Sequence, residues 1–118
     1  MGPKVQPIIR HLDEVDTVVH SACGKSVRII TRQDTDVANL HVTTVNDATA
    51  HYHEHCTEYY YIVEGSGTME VGDEKVEVSP GTAILIPPGV AHRGDGGFTT
   101  VVFGVPAWDP EDEVIVGD

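Results

Sequence analysis

Short runs of β-branched and apolar residues, partly alternating with polar ones, recur along the whole chain, and no stretch sustains a helical apolar period. The segments 27–30, 40–45, 51–55, 59–63, 68–71, 75–78, 83–86 and 98–103 read as strands. Turn residues separate them: Gly65-Ser66-Gly67, Gly72-Asp73, Ser79-Pro80-Gly81, Pro87-Pro88-Gly89 and Gly94-Asp95-Gly96-Gly97. Many short strands with glycine and proline punctuation predict an all-β sandwich or barrel. The ends are less regular. Asp13-Glu14-Val15 is expected to begin a helical turn, as is Asp109-Pro110-Glu111-Asp112, with an N-cap residue, an early proline and acids in the first turn. Ile62, Met69, Val71, Val76, Val78, Ile84, Ile86, Val101 and Phe103 are expected to supply most of the apolar interior.

With 118 residues the chain has room for one domain and one core. Its net charge of −12 would repel nucleic-acid phosphates and disfavours long-range attraction of anions, although a bound metal reverses the local potential. No run approaches the ~20 apolar residues that span a bilayer, and the first residues lack a signal-peptide stretch. Gly2 is followed by Gln6 where myristoylation needs Ser or Thr. Two cysteines, Cys23 and Cys56, form no C-x-x-C and no disulfide framework, so a cytoplasmic location is expected, with Cys56 an ordinary half-buried thiol. Gly24-Lys25-Ser26 resembles the end of a phosphate-binding loop, but Val19 stands where that loop needs glycine, which removes a nucleotide site.

The candidate chemistry lies in His51-Tyr52-His53-Glu54-His55-Cys56-Thr57-Glu58 and in His92, which follows Pro87-Pro88-Gly89. On an extended strand His51 and His53 share one face, about 6.6 Å apart along the backbone, so both imidazoles can turn toward one ion. A carboxylate nearby and a histidine from another strand would complete a nitrogen/oxygen donor set. Such a set suits manganese, iron, nickel, cobalt or zinc better than magnesium or calcium. His55 shares the same face, yet across ~13 Å of strand three imidazoles cannot all reach one ion at about 2.1 Å. One end must stand off.

His51-x-His53, four residues, Glu58, six residues and Gly65 resemble the first motif of the cupin superfamily from its histidines onward. Gly81, five residues, Pro87-x-Gly89, two residues and His92 resemble the second. Two positions depart: Val45 stands at the opening glycine of the first motif and Gly96 at the closing asparagine of the second. The resemblance covers residues 25–107 and implies a double-stranded β-helix, or jelly-roll barrel, with residues 1–24 as an N-terminal arm and 108–118 as an acidic tail. It implies a metal held by His51, His53, Glu58 and His92, with His55 at the barrel mouth. Tyr60 lies two residues beyond Glu58 and so on the same face, where its hydroxyl could meet a substrate or metal-bound water. Tyr59 and Tyr61 point the other way. Arg28 and Arg93 are candidates to hold an acidic substrate, with a solvated guanidinium the simpler expectation for each. His11, His20 and His41 show no ligand-like spacing and are expected at the surface or partly buried.

The resemblance implies chemistry ranging from dioxygenases to isomerases and lyases, and also non-catalytic sugar or effector binding; fold alone does not choose. The leading expectation is a small metal-dependent enzyme acting on a small organic molecule, by dioxygenase or isomerase/lyase chemistry. The alternative is a metal-dependent binding module. No Ser/His/Asp-like set is visible, so catalysis would run through the metal, with Tyr60 or bound water moving protons. A homodimer is expected, since small cupins commonly pair and the apolar Val5, Ile8 and Ile9 of the arm 3–9 need cover.

Overall fold

A computed structural model describes residues 6–116. Ten strands run antiparallel to their neighbours in one curled sheet: β1 Val18–Ser21, β2 Gly24–Ile30, β3 Asn39–Asp47, β4 His51–His53, β5 Thr57–Gly65, β6 Gly67–Val71, β7 Glu74–Val78, β8 Ala83–Ile86, β9 His92–Val105 and β10 Glu113–Ile115. The only helical elements among the described residues are 3₁₀ turns at Leu12–Glu14 and Pro110–Asp112. Both fall where the sequence places them, and the Asp109 side chain caps the second by accepting from the Glu111 N–H. No helix among the described residues is long and apolar enough to cross a membrane.

β9 is the spine of the barrel. Its C-terminal part pairs with β3 on one side and β5 on the other, while its first residues pair with β6 and β4. The change of partners occurs at Gly96 and Gly97, with φ of 110° and 85°, where the strand turns from one face of the barrel to the other. A Cβ at Gly96 would lie 2.8 Å from the Gly67 Cα. Gly96 is also the position where the cupin motif has asparagine. Asparagine tolerates the left-handed well near +57°, whereas this φ lies well beyond it, so glycine here has a local physical reason.

The core is built by alternation. Glu58, Tyr60 and Ile62 of β5 point inward, as do Phe98, Thr100 and Val102 of β9, and all are buried. Met69, Val78, Ile86, Val45 and Ala48 complete the apolar cluster, with Val71, Val76 and Ile84 packed on its edge. Two expected core residues do not belong to it. Phe103 is 42% exposed and Val101 half-buried, because both sit on the opposite face of β9 from His92, and Phe98 and Val102 take the interior instead. Tyr59 and Tyr61 face outward as expected.

Both ends contribute more than the expected appendages. β1 falls within the presumed arm and pairs with β2; β10 falls within the acidic tail and pairs with β4, setting Glu113 opposite His53 and Ile115 opposite His51. The expected strand 51–55 stops at His53, and the loop after it is tied down when Asp112 accepts from the backbone N–H groups of His55 and Cys56. Of the arm 3–9, residues 3–5, Val5 among them, lie outside the described residues, while Ile8 is half-buried and Ile9 exposed.

The corner in β9 can be tested by comparing two glycines of similar φ. Gly81, at 98°, has open space around its Cα. Gly81→Ala should cost about 1 kcal/mol through backbone strain alone, and Gly96→Ala at least about 2–3 kcal/mol because the strain is compounded by a backbone clash. Urea unfolding of the two variants measures the difference; equal losses would refute the corner.

Candidate metal centre

β4, β5 and β9 deliver His51 and His53, Glu58, and His92 respectively to one point inside the barrel. All four are buried, and one donor atom from each lies within 4.8 Å of every other. The convergence follows from pairing: His51 sits directly across from His92 between β4 and β9. The His53 carbonyl also accepts from the Gly89 N–H at 2.7 Å, which ties the Pro-Pro-Gly corner before His92 to the histidine strand.

The donor atoms are aimed at a common point rather than at one another. His53 Nε2 lies 3.0 Å and His92 Nε2 lies 3.2 Å from the same Glu58 Oε1. These contacts lack hydrogen-bond geometry, and all three atoms are buried without a hydrogen-bond partner. Two donors at about 2.1 Å from a shared ion, at right angles, lie about 3 Å apart, which is the spacing seen. Buried polar atoms without partners are costly. A cation would satisfy all three at once.

The tautomers agree. The Nδ1–H of His51 donates to the Thr49 carbonyl at 2.8 Å and that of His92 to the Val90 carbonyl at 3.1 Å. This leaves Nε2 of each ring with its lone pair toward the site, an arrangement typical of metal-bound histidine. Burial alone would raise the Glu58 carboxyl, but the imidazoles of His53 and His92 more than offset it and hold it well below the usual range, ionised. His92 is raised despite its burial by the nearness of Cys23 and Glu58. A cation entering the site requires these imidazoles to be neutral. The residues fit a divalent transition metal, which the group could bind.

Tyr60 and Cys23 complete the inner wall. Tyr60 is buried and its hydroxyl donates to Cys23 Sγ at 3.4 Å; the thiol in turn lies 3.2 Å from His51 Nε2. Burial first, then the neighbouring Cys23 and Glu58, raises Tyr60 well above the ordinary phenol range, so it stays a hydrogen-bond donor. Cys23 comes from the β1–β2 turn, and no local pattern in the sequence marks it as facing the site. Cys56, expected half-buried, is fully buried, and burial followed by the nearby Glu58 pushes it up to about 12.

The other candidates divide clearly. His55 is exposed and its ring pairs with Asp112 at 2.7 Å, away from the cluster. Arg93 pairs with Glu70 near the surface. Arg28 departs from the solvated expectation. It alternates inward with the buried Ser26 on β2, and its guanidinium carbon sits 4.1 Å from the centre of the Trp108 ring. His41, opposite Arg28 on β3, is buried, and burial followed by the Arg28 charge lowers it to about 4, leaving it neutral. Arg28, His41 and Trp108 line the same chamber as His53 and Glu58.

Residues 41–100 match the family model described as the cupin domain. L-ectoine synthase of Mycolicibacterium gilvum (strain PYR-GCK) is 34% identical over 94 residues, covering 73% of this chain and 72% of that protein. Quercetin 2,3-dioxygenase of Bacillus subtilis (strain 168) is 35% identical over 54 residues, 44% of this chain and 16% of that protein. In each of the first three curated proteins it matches, the chain spans about a third of the length or less: 34%, 20% and 16%. The crystal structure of a protein from Planctomyces limnophilus superimposes with a TM-score of 0.84 at 29% identity, over 92% of this chain and 96% of that one. With both motifs in place on a curled antiparallel barrel, the chain belongs to the cupin-domain family.

Proposed function

We propose that this chain is a metal-dependent enzyme that acts on a small organic molecule by redox-neutral isomerase or lyase chemistry. The observation that carries the metal is the set of unpartnered donor atoms of His53, Glu58 and His92, buried and aimed at one point. His51, His53, Glu58 and His92 would hold the ion. When bound, a divalent transition metal supplies Lewis-acid polarisation of a substrate oxygen. The chain's own part is positional and protonic. Tyr60 remains a phenol and presents its proton at the site, which suits a donor to a developing oxyanion or leaving group better than a base. Cys23 orients that hydroxyl. The barrel wall of Ile62, Met69, Ile86 and Val102 keeps the surroundings apolar.

The likeness to L-ectoine synthase, which extends over 73% of this chain, supports an enzyme on this scaffold. The shorter likeness to quercetin 2,3-dioxygenase supports a second reading, oxygenase chemistry at the same four residues. Non-catalytic binding of a small molecule would use the same metal without turnover.

One further expectation follows from the surface. A contiguous apolar strip of Tyr59, Tyr61, Val63, Leu85 and Phe103 lies outside the barrel, with Tyr59 directly across from both Leu85 and Phe103. We propose that a second copy covers it, rather than the arm alone as expected from the sequence. Light scattering at tens of micromolar should give twice 12.7 kDa, and Tyr61→Lys should return the mass to 12.7 kDa. A wild-type mass of 12.7 kDa excludes the pairing.

The metal assignment is tested by elemental analysis of purified variants. His53→Ala should lose metal by tenfold or more, while His55→Ala should retain about one equivalent per chain. The reverse pattern would move the site. For the chemistry, the iron-loaded chain should consume no dioxygen over a panel of diketones, catechols and flavonols, as followed with an oxygen electrode. Uptake with any of them would replace the redox-neutral reading by the oxygenase one.

A further inference from the structure

The sequence has four arginines, and three of them are ion-paired: Arg10 with Asp34, Arg32 with Asp109 and Arg93 with Glu70. Arg28 alone among them has no acidic partner among the described residues. It is also the one placed at the metal chamber. Its Nε is buried with no acceptor, although Glu113 is close enough to act on it through space. A buried cationic donor without an acceptor is costly to maintain.

Arg28 stands at a threshold. Outside it opens a cavity of about 470 Å³, lined by Thr17, Thr31, Arg32, His41 and Trp108 along with Arg28 itself. Inside it lies the narrow chamber of His53 and Glu58, whose free volume is about 10 Å³. Arg28, His41 and Trp108 border both spaces. The Trp108 ring lies against the guanidinium, with the Arg28 Cζ 4.1 Å from its centre, and covers one side of it.

The geometry points to Arg28 as the anchor for a single carboxylate of the substrate, a small molecule seated in the outer cavity against Trp108, on the approach to His51, His53, Glu58 and His92. This deepens the proposed function and rests on it for what happens at the inner end. A planar fork matches a carboxylate in two parallel hydrogen bonds. At this outer end one carboxylate fits better than a doubly charged group, because Arg32 is already committed to Asp109 and Glu113 borders the same chamber. His41, held neutral, adds a polar wall without a second positive charge. The substrate class is therefore a small monocarboxylate with a second polar function.

Trp108 is the chain's single tryptophan, so its fluorescence reports this subsite directly. The full-length protein, with and without bound metal, is titrated with propionate, propionamide and inorganic phosphate at constant ionic strength. Propionate should give a saturable change in both forms, at least about tenfold tighter than propionamide or phosphate. Arg28→Gln, folded by circular dichroism and with unchanged metal content, should weaken propionate by about tenfold or more. An equal response to propionamide, a stronger one to phosphate, or an unaltered one in Arg28→Gln would overturn the anchor. Should that variant not fold, the wild-type comparison of propionate with propionamide decides alone. Failure of the metal reading looks different: a chain that retains no metal but still prefers propionate keeps the anchor and loses only the inner end.

Discussion

Lone pairs meeting where water cannot reach them set the terms for the rest of this barrel. Nε2 of His53 and of His92 face one oxygen of Glu58 at 3.0 and 3.2 Å, within a wall closed enough that none has another partner. Left to themselves such groups take up protons or repel one another. They can be held together only by a scaffold stiff enough to resist that repulsion. The stiffness comes from backbone pairing: β9 is bonded along most of its length, on both edges, and carries His92 at its first residue. β4 is only three residues long, yet β10, the Gly89 N–H and the Glu54 N–H to Asp112 carbonyl bond fix it from several sides.

The polar centre and the apolar core are continuous rather than separate. Gly94, two residues beyond His92, has no room for a side chain, because a Cβ there would meet Val45 at 2.7 Å and Met69 Sδ at 2.9 Å. Val45 stands where the cupin motif begins with glycine, and its buried isopropyl group fills the space that Gly94 leaves. The two positions are thus coupled by volume. A larger residue at 94 would push on β3, while a smaller one at 45 would leave a void beside β9.

Much of this was legible because side chains able to share one ion must keep a fixed spacing. His51, His53, Glu58 and His92 could be named from the two motifs, and the strands that carry them from turn residues. Phase was harder. The run Phe98 to Phe103 is apolar or branched at nearly every position, so alternation gives no sign of which face is inside. Carrying the parity of His92 along the strand would have placed Phe98, Thr100, Val102 and Gly104 inward, as observed. The same reasoning on β3, from Val45 back through Thr43, would have buried His41. Cys23 and Trp108 had no such handle. One sits in a hairpin turn and the other in a loop before a 3₁₀ turn, where side-chain direction depends on tertiary packing rather than on period.

The charge of the chain and the unpaired Arg28 act over different distances. A net charge of −12 creates a repulsive field for anions, but counterions screen it within about 8 Å at physiological ionic strength. Arg28 lies behind that screen, in contact with Trp108 and partly withdrawn from water, where a charge-assisted hydrogen bond is strongest. An acidic surface therefore does not argue against an anionic ligand here. It argues against ligands that carry more negative charge at their outer end than one guanidinium can neutralise, since each additional charge there meets the outer field and Glu113. Selection for charge number at this end would rest on repulsion at long range and one attraction at short range.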